Sequence, residues 1–113
     1  MRVDSINSNS ELINKNKKIA ILVSNETISA GEFLALAFKF QKNSKLFGSK
    51  TKGKTSHLKL IEFKSNAKLL LASHFECDIN ENILTGGLVP DIECENHESL
   101  LKAIEWIKSK SPR

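Results

Sequence analysis

The sequence contains no tyrosine, one tryptophan, one methionine and only two cysteines among its 113 residues. It also lacks a long apolar run near its amino terminus, where the longest is Ile19 to Val23. That run is too short for a signal-peptide core or a membrane span, so no segment of this chain is expected to export it or to cross a membrane. Two isolated cysteines are usually small buried apolar residues.

The balance of charge raises the question of a nucleic-acid partner, since the formal net charge is +4 and the pI is near 9.1. The basic residues are mostly lysines spread along the chain, and a solvated lysine-rich surface explains them. We therefore expect no nucleic-acid partner. The alternative is a nucleic-acid-binding surface whose affinity falls steeply with salt. Its residues would be Lys50, Lys52, Lys54 and Lys59, in or beside a loop without an aromatic platform.

The order of short elements predicts an α/β fold in one domain. Residues 1–16 are polar and are predicted to be a flexible lead-in, and residues 17–113 form the folded part. The continuous apolar run at Ile19–Val23 predicts a strand buried on both faces. Further strands are predicted at residues 45–47, 58–63 and 68–75, the last two joined by a hairpin turn at residues 64–67. Residues 78–90 are predicted to form a loop that ends in a rigid turn before a short strand.

Apolar periodicity predicts two main helices. The first runs from Ala30 to about Gln41, and the second begins at an Asn96 cap. The apolar face of the first is predicted to contain Ala30, Phe33, Leu34, Ala37 and Phe38. The apolar face of the second is predicted to contain Leu100, Leu101, Ile104 and Ile107, with Trp106 beside it.

Ser29 has two possible interpretations, one structural and one chemical. The stretch from Ser29 to Glu32, SAGE, has the form of a capping box, and capping is the simpler interpretation. Unpaired amides and the dipole at a helix N-terminus also suit a nucleophile, which needs a base. Lys54, in the glycine- and lysine-rich loop at residues 48–57, is a candidate base; its alternative is a solvated loop lysine.

Two Cys/His pairs suggest a metal site. His74 and Cys77 are three residues apart, as are Cys94 and His97, and together they match the ligand types of a Cys2His2 zinc site. Neither pair is the Cys-x2-Cys knuckle of a zinc ribbon, and His74 ends a strand-like run, so we expect no structural zinc. Cys77 and Cys94 are expected to be free or, if their Cα atoms approach closely, disulfide-bonded.

Three motifs gain significance from their order: residues 27–32 (TISAGE), 48–54 (GSKTKGK) and 86–94 (GGLVPDIEC). They resemble the Thr-Ala-Ser-Ala-Ser/Gly-Glu, Gly-x-x-Thr-x-Gly-Lys and Gly-Ile-x-Pro-Asp-Ile segments of the C-terminal processing (tail-specific) serine peptidases. Lys54 follows Ser29 by 25 residues, which is the nucleophile-to-lysine spacing of that family. The resemblance covers about residues 17–93.

The resemblance implies a serine peptidase that hydrolyses peptide bonds through an acyl-serine. Ser29 would be the nucleophile, Lys54 the general base and the amide of Ala30 an oxyanion donor. It also implies a ClpP/crotonase-like ββα arrangement, with a mixed sheet and two main helices, and a peptide or protein substrate without cofactor or metal. The family is typically exported in bacteria, so the parent protein is expected in the cell envelope or secreted. A homo-oligomer stays open.

Departures from the family pattern leave alternatives. Leu58 stands where the family has a glutamine that orients the lysine, and a branch similar to nisin-resistance peptidases takes its histidine base from an upstream segment. Residues 1–18 contain no Asn-Pro-Gly-Gly oxyanion segment, and the chain has no PDZ-like segment. We therefore expect residues 17–113 to be the C-terminal portion of a catalytic domain, a fragment or truncated member with weak activity alone. The alternative is a non-catalytic module that binds a peptide along a sheet edge.

Overall fold

The computed structural model describes residues 16–75, 77–78, 80–83 and 85–110, and it confirms the α/β prediction. The predicted lead-in at residues 1–16 lies outside the described residues except for its last residue. No helix in the described part is long and apolar enough to cross a membrane. The elements, in chain order, are β1 (Ile19–Val23), α1 (Ala30–Lys39), β2 (Ser44–Gly48), β3 (Ser56–Glu62), β4 (Lys68–Phe75), β5 (Ile92–Glu93) and α2 (Asn96–Lys108).

A parallel sheet in the order β1-β2-β5 forms the centre of the molecule. Consecutive side chains of a strand point to opposite faces of its sheet, so Leu46 and Phe47 of β2 pack on opposite faces. On the Leu46 face, a buried cluster contains Val23 of β1, Ala35 of α1 and Leu88. On the opposite face, the ring of Phe47 lies 5.7 Å from that of Trp106 in α2. The two helices therefore cover opposite faces of the sheet.

The prediction that β1 is buried on both faces is wrong for the described chain. Val23 is buried, but Ile19 and Leu22 remain 41% and 46% exposed. Among the described residues, β1 is an edge strand that pairs only with β2, so the helices cover it incompletely. A run of apolar residues predicts the strand correctly but does not say which neighbours cover it.

Helix α1 turns a different face to the sheet from the one that apolar periodicity predicts. Its buried residues are Glu32 and Ala35, and Leu36 packs against the same cluster. Leu34 is 63% exposed, and the predicted core residues Ala30 and Ala37 are exposed as well. The physical reason is Glu32, whose buried carboxylate points inward and fixes the rotation of the helix.

Helix α2 also differs from its prediction. Its N-cap is Glu95, and Asn96 is the first helical residue, with its side-chain oxygen 3.2 Å from the Ser49 hydroxyl that donates to it. The buried residues are Ser99 and Ala103, which are small and allow the helix to lie close to the sheet. The predicted core residues are 39–62% exposed; they are Leu100, Leu101, Ile104 and Ile107.

Strands β3 and β4 form an antiparallel hairpin that is separate from the parallel sheet, so the strands form two sheets rather than the one mixed sheet that was predicted. Every described residue of β4 is exposed, and so are most of β3. Leu60 opposes Leu70 on one face, and Ile61 opposes Leu69 on the other. The hairpin therefore presents apolar side chains on both faces without a covering layer in the described part.

Candidate active site

Ser29 lies between β1 and α1, directly before the first helical residue. Its backbone has φ 52° and ψ −116°, a conformation that non-glycine residues rarely adopt and that is concentrated at functional sites. The residue is exposed. Ala30 is the first residue of α1, where an amide has no intrahelical acceptor. An exposed hydroxyl beside an available amide is the arrangement that a serine nucleophile and its oxyanion require.

Glu32 forms the capping-box pair with Ser29, as the sequence predicts, and its oxygen Oε2 accepts the Ser29 amide at 3.0 Å. The same carboxylate has three further donors, which the sequence did not predict. Oε2 also accepts the amide of Lys54 at 3.0 Å. Oε1 accepts the Thr51 hydroxyl and the Gly53 amide, each at 2.6 Å. Glu32 thus ties the lysine-rich loop to the start of the serine helix.

The environment of Glu32 favours its ionised form. Burial of the side chain, which is 0% exposed, raises the pKa, but the hydrogen bonds from Thr51, Gly53, Ser29 and Lys54 lower it by more. The pKa of Glu32 therefore lies below its ordinary value of 4.5. A carboxylate that accepts several amide hydrogen bonds is held in the charged state even when it is buried. The four donors and the negative charge stabilise each other.

Lys54 lies in the loop between β2 and β3, and its backbone is fixed while its side chain stays exposed. The Lys54 amide bonds to Glu32, and the neighbouring Gly53 has φ 85°, which favours glycine. Lys52 donates its amide to the carbonyl of Thr27 at 2.9 Å, which anchors the loop to the segment before Ser29. The structure therefore brings together the main chains of the predicted nucleophile and the predicted base.

The third motif, at residues 86–94, packs against the same loop. The Thr51 hydroxyl accepts the Leu88 amide at 2.7 Å, and the Thr51 amide donates to the Leu88 carbonyl at 3.1 Å. A Cβ atom on Gly53 would lie 2.8 Å from the nitrogen of Gly87, so the two backbones approach more closely than side chains allow. All three motifs of the sequence thus meet around Glu32.

The end of this motif is anchored to the parallel sheet. Asp91 accepts the Leu46 amide of β2 at 2.7 Å, and Lys39 at the end of α1 lies 3.8 Å from the same carboxylate. Residues 92–93 then join the sheet as β5, which confirms the predicted turn and short strand. The Pro-Asp pair therefore has a structural role that its sequence alone did not reveal.

A stacked ring pair joins α1 to the start of β3. The ring of Phe33, four residues after Ser29, lies 5.4 Å from that of His57, three residues after Lys54, with 10° between their planes. Helical side chains lean toward the helix N-terminus, so Phe33 covers the first turn of α1. This contact connects α1 to β3, directly after the loop that the carboxylate of Glu32 holds.

The two Cys/His pairs lie apart from each other in the described chain. Among the described residues, no group of three or more His, Cys, Asp and Glu side chains is close enough to hold a metal ion. Cys77 and Cys94 are both free. The nitrogen Nδ1 of His74 lies 2.8 Å from the Ser73 hydroxyl beside it. The zinc alternative therefore has no geometry to support it in the described part of the chain.

Comparisons with known proteins agree with the three motifs. A sequence model of peptidase family S41 matches residues 2–94. The chain is 39% identical over 104 residues to the nisin-resistance protein of Lactococcus lactis subsp. lactis, covering 87% of this chain and 32% of that protein. It is 27% identical to a lipoprotein from Streptococcus agalactiae, with a TM-score of 0.72 over 83% of this chain and 32% of that one.

The fold is also similar to that of the photosystem II D1 C-terminal processing protease. The identity is 21%, and the TM-score is 0.68 over 79% of this chain and 24% of that protein. At this identity the likeness concerns the fold alone. The chain spans about a third of the length of the curated relative that it matches.

Proposed function

This chain belongs to peptidase family S41, and we propose that it supplies the nucleophile and the general base of a serine peptidase. The family match confirms the resemblance to C-terminal processing peptidases that the motifs predicted. In this proposal Ser29 attacks the peptide carbonyl, Lys54 removes and returns the proton, and the Ala30 amide donates to the oxyanion. The substrate is a peptide or protein, and neither a metal nor a cofactor takes part.

One observation supports the proposal most directly: a single buried carboxylate holds the main chains of both catalytic candidates. The amides of Ser29 and Lys54 each donate to Oε2 of Glu32 at 3.0 Å. The shared acceptor oxygen holds the loop that carries Lys54 close to the residue that carries the proposed nucleophile. Positioning of this kind is what a nucleophile and its base require, because small displacements lower the rate strongly.

In the acylation step, the neutral amine of Lys54 takes the Ser29 proton as Oγ attacks the carbonyl carbon of the scissile bond. The negative charge moves to the carbonyl oxygen, which the Ala30 amide stabilises together with the dipole of α1. The intermediate then collapses, the carbon–nitrogen bond breaks, and Lys54 gives its proton to the leaving amine. Ser29 is left as an ester of the carboxyl side of the substrate.

In the deacylation step, Lys54 takes a proton from a water molecule that attacks the ester. Collapse of the second intermediate returns the proton to Oγ of Ser29 and releases a carboxylic acid. A lysine acts as a base only as the neutral amine, and burial favours that form. Lys54 is exposed in the described chain, so in this proposal a bound substrate or a further part of the catalytic unit covers it.

The exposed apolar surfaces support the further proposal that residues 17–113 are the C-terminal portion of a larger catalytic domain with a ClpP/crotonase-like arrangement. The chain spans only about a third of the length of its relatives, and no described residue outside the β3–β4 hairpin forms a layer over either of its faces. The similarity to a bacterial lipoprotein supports the proposal that the parent protein acts outside the cytoplasm. Whether it forms a homo-oligomer stays a prediction.

Covalent labelling tests the nucleophile. A fluorophosphonate probe should modify the protein as its gene encodes it, and mass spectrometry of a digest should place the label on Ser29. The Ser29→Ala variant should lose the label and the hydrolysis of a test peptide together. Ser65→Ala, in the exposed turn of the hairpin, is the matched control and should label normally. Peptide hydrolysis that survives Ser29→Ala would contradict the assignment.

A second candidate function is a module that binds peptides without cleaving them. The observation in its favour is the hairpin, whose β3 and β4 each have one edge that is unpaired within the described residues. An extended peptide can add a strand to such an edge. Peptide binding that persists in a protein that no fluorophosphonate labels would select this function over the peptidase.

A further inference from the structure

Thr51 is a buried polar residue at the point where the three motifs meet. It is 5% exposed. Its hydroxyl lies 2.6 Å from Oε1 of Glu32 and 2.7 Å from the amide nitrogen of Leu88. Neither the capping of α1 nor the proposed chemistry at Ser29 accounts for these contacts. They connect the carboxylate under the site to the turn at residues 86–91.

The direction of both hydrogen bonds is fixed. A hydroxyl has a single proton to donate. The Leu88 amide is itself a donor, so Thr51 must accept from it and must direct its own proton to Glu32. The ionised carboxylate is an acceptor only, which agrees with this assignment. The Thr51 hydroxyl therefore has one orientation. It accepts from Leu88 only while it donates to Glu32, so the two hydrogen bonds depend on each other.

The turn and the loop also interlock through their backbones. The Thr51 amide donates to the Leu88 carbonyl, so the two residues are joined in both directions. A Cβ atom on Gly87 would lie 2.3 Å from the Thr51 carbonyl oxygen, which leaves no room for a side chain between turn and loop. A shift of the turn would therefore move Thr51, and Thr51 would move its partner Glu32.

We propose that Thr51 is a positioning residue whose hydroxyl couples the turn at residues 86–91 to Glu32 and thereby sets the Lys54 loop against Ser29. The turn thus belongs to the catalytic apparatus although it touches no reacting atom. The catalytic part of this inference rests on the proposed peptidase function, whereas the coupling itself concerns hydrogen bonds that can be measured without activity.

Two substitutions of Thr51 separate the contribution of its hydroxyl from that of its methyl group. Thr51→Val keeps the shape of the side chain but removes the hydroxyl, which leaves the Leu88 amide without an acceptor and Glu32 with one donor fewer. Thr51→Ser keeps the hydroxyl and removes the methyl group. If the coupling runs through the hydroxyl, the serine variant restores what the valine variant loses.

Amide hydrogen exchange and carboxyl titration by NMR measure the coupling in the chain itself. In Thr51→Val, the amides of Leu88, Gly53 and Lys54 should exchange about tenfold faster, since a lost hydrogen bond to a charged acceptor weakens local structure by about that factor. The titration midpoint of Glu32 should rise, because the ionised form loses a donor. The amides of β1 and β2 should keep their protection, and Thr51→Ser should resemble the parent chain in every readout.

Three outcomes would overturn the inference: unchanged exchange at Leu88 and Lys54 in Thr51→Val, an equal loss of protection throughout β1 and β2, or a serine variant that behaves like the valine variant. Where the protein reacts with a fluorophosphonate, the labelling rate should fall in Thr51→Val and recover in Thr51→Ser. A parent protein that never labels would refute the peptidase proposal, yet the exchange and titration data would still decide the role of Thr51.

Discussion

The backbone amides of Ser29 and Lys54 donate to the same oxygen, Oε2 of Glu32, each at 3.0 Å. These residues are 25 positions apart in the sequence and lie in different connections, Ser29 between β1 and α1 and Lys54 between β2 and β3. Two donors on one oxygen must lie within two hydrogen-bond lengths of each other. The carboxylate therefore gives a physical reason for the presence of a glutamate three residues after the serine, beyond the start of a helix.

Substitution of Glu32 by glutamine should weaken this arrangement. The amide group of glutamine has one acceptor oxygen, and its nitrogen would face amide donors that it cannot satisfy. We expect the free energy of unfolding to fall by about 1–3 kcal/mol, the cost of leaving buried partners unpaired. Urea denaturation of the Glu32→Gln chain measures this loss. Glu26→Gln, at an exposed position in the same segment, is the control and should leave the midpoint unchanged; equal midpoints for the two variants would contradict the role of Glu32.

Stability should decline in acid, and Glu32 should account for part of the decline. Its folded-state pKa lies below 4.5, since the four hydrogen bonds outweigh the effect of burial, so the unfolded chain takes up the proton first. The resulting stability is complete above about pH 4.5 and is lost as the pH falls through the folded-state pKa. Unfolding midpoints measured between about pH 6 and pH 3 should fall less steeply in Glu32→Gln than in the parent chain.

Asp78 provides the comparison for this measurement. Hydrogen bonds from the Asn82 side chain and the amides of Asn82 and Asn80 lower the pKa of Asp78, although desolvation opposes them. Asp78→Asn should therefore remove a separate part of the acid dependence. If Glu32→Gln kept the full acid dependence of the parent chain, the assignment of a lowered pKa to Glu32 would be wrong.

Sequence patterns predicted the elements well but predicted the buried faces poorly. The strand at residues 68–75 has the predicted bounds, and the helix after Ser29 differs only at its end. The predicted buried face of α1 was wrong because apolar periodicity assigns a glutamate to solvent. Glu32 is instead buried among the groups that donate hydrogen bonds to it. The predicted buried face of α2 was wrong because the small residues Ser99 and Ala103 allow the helix to pack closer to the sheet than leucines would. Both errors arise from tertiary contacts that a local pattern does not contain.

The sequence did not predict the contacts that join the candidate residues of the site. The resemblance to C-terminal processing peptidases implied Ser29 as nucleophile and Lys54 as base, and both roles stay predictions. No sequence pattern indicated that Thr51 bridges Glu32 to Leu88, because a threonine in a polar loop is ordinarily solvated. A buried carboxylate with a nearby Gly-rich loop, whose amides are free to donate, is the feature that could have suggested it.

Adjacent glycines in the turn should differ sharply in their tolerance of alanine. Gly87 has φ 88°, and a Cβ atom there would lie 2.3 Å from the Thr51 carbonyl oxygen. Gly86 has no such strain, and its Cβ would lie 3.5 Å from the end of the flexible Lys50 side chain. Gly87→Ala should lower the free energy of unfolding by more than about 1 kcal/mol, whereas Gly86→Ala should change it little or raise it. Denaturation midpoints that agree for the two variants would contradict the interlock of turn and loop.

The hairpin should bind hydrophobic dyes and tolerate polar substitutions. Leu58, Leu60 and Leu70 are 49–62% exposed and share one face. Serine at all three positions should reduce the fluorescence of an anilinonaphthalene dye and leave the urea midpoint nearly unchanged. Leu46→Ala, at a position with 0% exposure, is the contrasting variant and should cost about 2–5 kcal/mol. A comparable loss of stability in the triple serine variant would mean that the hairpin face is packed.

Lys54→Ala in the protein as its gene encodes it should test the proposed base. The amide of residue 54 donates to Glu32 whatever its side chain, so the substitution removes the amine and retains the anchor of the loop. Peptide hydrolysis should fall nearly as far as in Ser29→Ala. The double variant should lose little more activity, because the effects of substitutions within one catalytic unit are not additive.

Lys52→Ala is the matched control, since the Lys52 side chain is exposed in the same loop and its anchor is a backbone hydrogen bond to Thr27. A Lys54→Ala enzyme with most of its peptidase rate would assign the base to a histidine elsewhere in the protein, while leaving Ser29 as the nucleophile.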